Sequence, residues 1–333
     1  MPLVCEPTNL AVAFLRASRG KQMRQEIIDF RDDLWYNLDT IGRTLLDGTY
    51  QFGNYHFFTI YDPKKRLICA APFRDRVAMH ALMRVCHPVF EAFQVPHSFA
   101  SRIGRGTYAA LARTQKLCAK YEWYAKLDVR HYFDTIHHNT LREQLSRLFK
   151  DHILLAHFDS LLHSYEVTTG RGLPIGNLTS QYFANHYLSV ADHYAKEHLR
   201  VAAMVRYMDD VLLFSHSHKE LMANVKAYTV YVRDNLQLEW HAPIVNVCRF
   251  GLPFCGYVVR GNGLRLNQRS RHRYRKKMKA LRTDFGEGKL SLCEYSRRVQ
   301  ALRAFVNKAV AKNFIEDESN VRIRAAQKEG MYP

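Results

Sequence analysis

The sequence predicts an α+β fold in which an antiparallel sheet carries acidic residues on one edge and a basic helical lobe closes the chain. Three observations predict it. The middle of the chain runs strand, helix, loop and helix, hairpin, helix, strand, an order in which strands and helices segregate rather than alternate regularly. Two apolar, strand-like stretches hold aspartates where a strand ends or turns, in Ala125-Lys-Leu-Asp-Val129 and Arg206-Tyr-Met-Asp-Asp-Val-Leu-Leu-Phe214. Residues 265–333 carry 18 Lys and Arg against 7 Asp and Glu, more than half of the chain's net charge of +18.

Taken in order, residues 10–48 read as helix, with Ile27, Phe30, Leu34, Leu38, Ile41 and Leu45 at helical spacing. Residues 55–71 read as two strands around a turn at Pro63-Lys64, and residues 75–93 return to helical spacing. A basic, Gly-containing loop at 102–106 leads into a helix ending near Lys120. Residues 123–129 read as a strand and 139–164 as helix, followed by a loop punctuated by Gly and Pro at 170–176. A long helix is expected over 179–198, capped by Thr179 or Ser180. Residues 203–214 form two apolar arms around an acidic centre, hence a hairpin, and a helix spans about 217–236. A second hairpin is expected over 254–266, turning at Gly261-Asn-Gly263, after which the chain is helical and basic.

Length and composition bound the class. A chain of 333 residues can bury a sizeable core in two or three subdomains. No segment is long and apolar enough to span a membrane, and the N-terminus lacks the order of a signal peptide, which predicts a cytoplasmic protein. The 7 cysteines are scattered without a CxxC pair, which suits reduced thiols rather than a disulfide framework or a zinc ribbon. His216 and His218 come nearest to a metal cluster but lack partners at ligand spacing. The strong positive charge predicts a polyanionic partner, and its concentration at one end suits a clamp on nucleic acid.

Asp128 ends its strand, while Asp209 and Asp210 sit at the turn of a hairpin. If those strands are neighbours, three carboxylates converge at one sheet edge, where they raise one another's pKa unless divalent cations neutralise them. Hard oxygen ligands suit Mg²⁺, and two such ions can serve phosphoryl transfer. An Asp-Asp pair alone is usually a turn. Here it lies between apolar strand arms, after a separate strand-terminal Asp, in a basic protein.

These stretches resemble the motifs of reverse transcriptases, in the family's order, over roughly residues 55–265. Tyr207-Met208-Asp209-Asp210 is similar to motif C, Leu127-Asp128-Val129 through Phe133 to motif A, and Leu173-Pro-Ile-Gly-Asn-Leu-Thr-Ser-Gln181 to motif B. Phe254-Cys-Gly-Tyr257 resembles the motif E hairpin that grips the primer, and Pro63-Lys-Lys-Arg66 and Phe73-Arg-Asp-Arg76 resemble finger motifs that contact the incoming triphosphate. The resemblance implies a right-hand polymerase, with an N-terminal helical segment and fingers at 1–120, a palm at 121–265 and a basic helical thumb at 266–333.

It implies catalytic roles for Asp128, Asp209 and Asp210, with Val129 added to these as a metal-binding position for two Mg²⁺ ions, Mn²⁺ being able to substitute. Nucleotide contacts fall to Lys64, Arg66, Arg74, Phe133, Ile175, Gly176 and Gln181. Phe133 stands where the family places the ring that excludes a ribose 2′-OH, with Tyr132 next if the register slips. Primer and nucleic-acid contacts fall to Phe254, Gly256 and Tyr257 and to Arg271, Arg273, Arg275, Lys276, Lys277 and Lys279, which face the duplex if Leu281, Phe285, Leu290, Leu302, Phe305 and Val306 form a small core. Tyr274 and Tyr295 are expected to pack.

Two departures narrow the resemblance. Ile175 stands where the family's commonest motif B has Gln, and Gln181 follows Ser180 where it has Pro; this version is similar to the enzymes of diversity-generating retroelements, which copy an RNA with frequent errors. Ile175 lacks the hydrogen bonds of a Gln amide. The stretch 236–247 lacks the Lys of motif D, leaving His241 as a substitute. The partners implied are a structured template RNA and the RNA/cDNA duplex, deoxynucleoside triphosphates and a small basic accessory protein, since no RNase H, endonuclease or maturase segment is legible. A phage-defence reverse transcriptase with its own noncoding RNA, or a catalytically silent RNA-binding module, remain alternatives.

Overall fold

The computed structural model describes residues 1–61 and 65–306. They divide into two compact units, both built of helices and antiparallel strands. No helix among the described residues is long and apolar enough to cross a membrane.

The first unit takes in residues 1–106, 126–213 and 219–244. It opens with helices α1 (Pro2–Cys5), α2 (Pro7–Ser18), α3 (Gln25–Asp32) and α4 (Leu34–Leu46). The single helix expected over 10–48 is thus three. Gly20, at φ +73°, takes the left-handed conformation that ends a helix without steric cost. α2 packs its apolar stripe on α5 (Phe73–Phe93). The rings of Phe14 and Phe30 stack at 5.7 Å, and Phe73 meets Phe30 edge-on at 5.0 Å. Between α4 and α5 lies the hairpin β1 (His56–Ile60) and β2 (Arg66–Ala70), paired from His56 opposite Ala70 to Ile60 opposite Arg66.

The same unit holds α7 (Tyr132–Thr135), α8 (His138–Leu148), α9 (His152–His163), α10 (Leu178–His193) and α11 (His218–Leu236). The helix expected over 139–164 breaks because Asp151 caps α9, its carboxylate accepting from the Leu154 N–H at 3.0 Å. α10 begins one residue earlier than expected. Asn177 is its cap residue, and Thr179 and Ser180 are buried within the helix instead of capping it. Strands β3 (Trp123–Asp128), β4 (Ala203–Tyr207), β5 (Asp210–Ser215) and β6 (Ile244–Val247) form a sheet in the order β4-β5-β3-β6. Val211, Leu212, Leu213 and Phe214 are all buried. That is why β5 reads as an unbroken apolar run rather than an alternation.

The second unit takes in residues 107–125, 214–218 and 245–333. Its described elements include α6 (Thr107–Lys120), a three-stranded antiparallel sheet of β7 (Leu252–Phe254), β8 (Tyr257–Arg260) and β9 (Gly263–Leu266), and two helices, α12 (Gln268–Gly286) and α13 (Leu292–Val306). The expected hairpin turn at 261–263 is present between β8 and β9. α12 buries Ser270, Tyr274, Met278 and Leu281, one stripe at helical spacing. Of the core expected here, Leu281 and Val306 are buried, but Phe285 is exposed and stacks on Tyr295 at 4.6 Å between ring centres. Tyr274 and Tyr295 therefore both pack. His216 and His218, the nearest thing to a metal cluster in the sequence, lie against the rings of Tyr121 and Trp123, each at 4.7 Å.

Candidate active site

The two-residue turn Met208-Asp209 joins β4 to β5, and β5 runs beside β3. This places Asp128, the last residue of β3, near Asp209 in the turn and Asp210 at the start of β5. The convergence shows in the electrostatics. Burial pushes the Asp209 carboxyl up to about 6, and the charges of Asp210 and Asp128 push the same way. Arg66 on β2 pulls in the opposite direction, so the structure also brings one of the expected triphosphate-binding residues close to the acids. Asp210 also meets a cation. Its Oδ1 lies 2.9 Å from Lys126 Nζ, one strand position before Leu127 on β3.

The turn is held from beneath. Met208 has φ +58°, a conformation that a non-glycine residue adopts at a cost. Its carbonyl accepts a hydrogen bond from Arg206 Nη1 at 3.0 Å. The Arg206 side chain is fully buried, and each of its three nitrogens has an acceptor. Nε donates to Asp192 Oδ2 at 2.7 Å, Nη1 also to Asn185 Oδ1 at 2.8 Å, and Nη2 to Gln94 Oε1 and the Asn185 carbonyl, each at 3.1 Å. A planar fork of five donors can tie three elements together in one geometry. Here the elements are α5, α10 and β4. Neither Arg206 nor Lys126 stood out in the sequence. The signal was a charged residue placed inside an otherwise apolar strand, where burial without a partner is prohibitive.

Around the acids, Val129 is buried and bridges to Trp240, and the Asp128 carbonyl accepts from the His241 N–H at 2.9 Å. The stretch 236–247 is therefore bonded to the catalytic strand by backbone, with His241 exposed beside it. In α7, Tyr132 is in the core with its hydroxyl bonded to the Ala184 carbonyl, whereas Phe133 is half-exposed. Burial removes Tyr132 as the alternative ring, and Phe133 is the more accessible of the two. The Ile175 carbonyl accepts from the Cys69 N–H of β2 at 2.8 Å. Gly176, at φ +121°, lies so near β2 that a Cβ there would be 3.1 Å from the Cys69 carbonyl oxygen. The missing Cβ of Gly176 thus leaves room for this chain's own strand. Gln181 is exposed and accepts from Ser101 Oγ at 3.2 Å. Arg74 is exposed with its guanidinium over the Tyr50 ring at 5.3 Å. Lys64 lies outside the described residues.

In the second unit, the expected primer-contacting aromatics are corrected by their burial. Phe254 and Tyr257 are core side chains, 1% and 0% exposed, and the Tyr257 hydroxyl donates to the Phe305 carbonyl at 2.5 Å. The alternation along β7 and β8 puts both rings on the inward face. Surface contact at that hairpin is left to Cys255 and Gly256, the latter at φ +86° with Ser270 and Phe305 crowding its Cα. On α12, Arg271, Arg275, Lys276, Lys277 and Lys279 are exposed and Arg273 half-buried, opposite the buried stripe.

A divalent metal fits this site by chemistry more than by a finished cage. Among the described residues no three His, Cys, Asp or Glu side chains are gathered at ligand distance, and the Lys126 pair on Asp210 is a physical reason. The fit rests on the Asp209 carboxyl, which its surroundings push up to about 6, and on three hard oxygen donors whose repulsion a cation would relieve.

Comparison with known proteins agrees with this geometry. The family model described as "Reverse transcriptase (RNA-dependent DNA polymerase)" matches residues 62–242. The putative COX1/OXI3 intron 1 protein of Saccharomyces cerevisiae is 21% identical over 173 residues, covering 49% of this chain and 21% of its own length. Protein YkfC of Escherichia coli is 26% identical over 154 residues, covering 41% and 40%. The match thus spans less than half of either curated relative. The structure of apo telomerase from Candida tropicalis, truncated from its C-terminal domain, superposes with a TM-score of 0.50 at 12% identity, covering 65% of this chain and 55% of that one. At that identity the likeness is one of fold, a right-hand polymerase of helices and antiparallel sheet. With the matched family model spanning more than half of its residues, the chain belongs to the reverse transcriptase family.

Proposed function

We propose that this chain is an RNA-directed DNA polymerase that makes cDNA from a dedicated RNA template, with residues 1–120 as N-terminal segment and fingers, 121–265 as palm and 266–333 as thumb. The observation that carries the reading is the convergence of Asp128, Asp209 and Asp210 on adjacent strand ends, with Asp209 raised by burial and by the other two charges. Asp128 and Asp209, with the Val129 backbone, would hold two Mg²⁺ ions, Mn²⁺ being able to substitute. When bound, such ions supply charge stabilisation at the attacking and leaving oxygens. The chain's own residues do the rest. Arg66, near Asp209, and Arg74, with Lys64, offer charge-assisted hydrogen bonds to a triphosphate. Lys126 Nζ, 2.9 Å from Asp210 Oδ1, orients that carboxylate. Phe133 presents a ring edge where a ribose 2′-OH would clash. The exposed basic face of α12 binds duplex phosphates without reading sequence.

Primer extension on an RNA template with Mg²⁺ and each deoxynucleotide tests the proposal. Template-directed incorporation is expected; RNA binding without any incorporation would leave the silent-module reading in its place. In the same assay Phe133→Ala is expected to accept ribonucleotides roughly 10- to 100-fold better relative to deoxynucleotides, a steric clash being worth about 1–3 kcal/mol. Unchanged sugar selectivity would remove Phe133 from that role.

The apolar Ile175 supports the finer reading, an error-prone enzyme like those of diversity-generating retroelements, located in the cytoplasm and served by a structured RNA and a small basic accessory protein. Its carbonyl is committed to β2 and its half-exposed side chain offers no hydrogen bond. Ile175→Gln is expected to lower the misincorporation frequency several-fold on a natural RNA template, read by sequencing the cDNA. An equal error spectrum in both proteins would detach fidelity from this position and leave a defence enzyme equally well supported.

A further inference from the structure

The second unit contains a recess of about 460 Å³ that has no part in the acid cluster. Its walls come from three places in the chain. Cys118, Tyr121 and Glu122 lie at and just after the end of α6. Val247, Cys248 and Arg249 lie at the end of β6. Arg260, Gly261 and Asn262 form the turn between β8 and β9. The walls are pinned by backbone. Cys248 N–H donates to the Glu122 carbonyl at 2.7 Å, and Gly251 N–H to the Cys248 carbonyl at 3.0 Å. Gly261 is so close to α6 that a Cβ there would lie 2.8 Å from Ala119 Cα. A recess of this size matches an ordinary small-ligand pocket.

The charge of the lining is unbalanced. Arg249 and Arg260 both line the recess, and neither has a carboxylate partner among the described residues. Arg249 lies over the neighbouring Phe250 ring at 5.0 Å. Arg260 makes one long bond from Nη2 to the Phe250 carbonyl at 3.3 Å, and its buried Nε has no acceptor. A buried guanidinium nitrogen without an acceptor is costly unless a ligand completes it. Asn262 adds a neutral amide. Lys120 precedes the lining Tyr121, its ammonium 5.3 Å from that ring's centre, and Lys116 lies one helical turn back on α6, both exposed. Glu122 is the one acid among the lining residues. Arginine forks, an amide and flanking aromatics suit a phosphate carried on a nucleic-acid strand. They suit neither an apolar ligand nor a cation.

We propose that this recess is a phosphate-binding site that anchors a single-stranded segment of RNA, separate from the acid-bearing site and from the basic face of α12. Arg249 and Arg260 take the phosphate oxygens, and Tyr121 and Phe250 lie beside the sugar or base. The function would be retention: the template stays attached outside the copied segment while the duplex moves. The proposal builds on the polymerase reading but does not need it, because binding is measured without synthesis.

The test uses the full chain and an unstructured single-stranded RNA of about 20 nucleotides. Affinity is read by fluorescence anisotropy across a salt series for the wild type, for Arg249→Gln with Arg260→Gln, and for a control pair of equal charge, Lys219→Gln with Lys226→Gln on α11. The Arg pair is expected to weaken binding about tenfold at moderate salt and to reduce the salt slope by about 1.4, roughly 0.7 for each phosphate of a single strand that is no longer neutralised. The control pair should change little, and extension of a short primer-template should be unchanged in the Arg pair. Competition separates the sources of phosphate. A strand site is displaced by unlabelled RNA at far lower concentration than by a mononucleotide or inorganic phosphate, whereas equal potency of inorganic phosphate would reduce the recess to an anion site and overturn the strand assignment. Equal affinity and slope in the Arg pair and the wild type would also overturn it. Circular dichroism of the Arg pair guards against misfolding, and a single Arg249→Lys variant, which keeps the charge, should fall between.

Discussion

Asp209→Asn is expected to abolish nucleotide incorporation, by about a thousandfold or more, while leaving RNA affinity at the wild-type level. The loss follows from removing a carboxylate at the point where charge builds up in phosphoryl transfer, an electrostatic contribution of several kcal/mol. The same substitution should stabilise the metal-free protein, and the sign can be worked out. The folded carboxyl titrates at about 6, above the value of about 3.9 expected in an unfolded chain. The folded state thus holds this proton more tightly than the unfolded state does. Above pH ~6 the ionised group costs stability, and as pH falls through 6 toward ~4 that cost disappears. With a chelator present at pH ~7.5, the Asn variant should be more stable by about 1–2 kcal/mol, discounted because the group is partly open to solvent. The gap should close by pH ~4. Urea denaturation of both proteins at the two pH values measures it. A variant less stable than wild type at the higher pH would mean that burial and the neighbouring acids do not penalise the Asp209 carboxylate, and residual synthesis near the original rate would remove Asp209 from the reaction.

What the sequence disclosed and what it hid divide along a physical line. The acid-bearing strands were legible because their information is local: an apolar run with an Asp at its end, and a second with Asp-Asp at its turn. The helices were legible as periodic stripes, but their breaks were not, since Gly20 and Asp151 act through backbone geometry that a stripe does not reveal. Partnership across the chain was illegible. Arg206 reaches Gln94, Asn185 and Asp192, and nothing local marks those residues as its acceptors. Lys126 could have been paired with Asp210 only by knowing that β3 and β5 are neighbours. Phe254 and Tyr257 resemble a primer-gripping motif, yet the alternation along β7 and β8 sets Leu252, Phe254, Tyr257 and Val259 on one inward face, and all four are buried. Gly176 reads as a nucleotide contact in the sequence, while in the structure its missing Cβ makes room for the backbone of β2.

The long-range partnership also gives the second large effect. Arg206→Met should destabilise the protein by about 3–5 kcal/mol, because it strands the fully buried Asp192 carboxylate without its partner. That alone would not distinguish a structural prop from a device that sets the catalytic turn. The double variant Arg206→Met with Asp192→Leu does. Replacing both members of a buried pair by apolar groups often restores stability, so the denaturation midpoint should return most of the way to wild type. The Met208 carbonyl stays without its donor in both variants. The turn, already in a left-handed conformation at Met208, then loses the bond that fixes where Asp209 points. Synthesis in the double variant should remain about 10- to 100-fold slow, with the deficit in kcat rather than in KM for deoxynucleotide, since misplacing a reacting group by a fraction of a bond length carries a cost of that order. If full stability and full rate return together, Arg206 is a core residue whose charge is incidental to the reaction. If stability returns and rate does not, the buried arginine is what holds the Met208-Asp209 turn in working position.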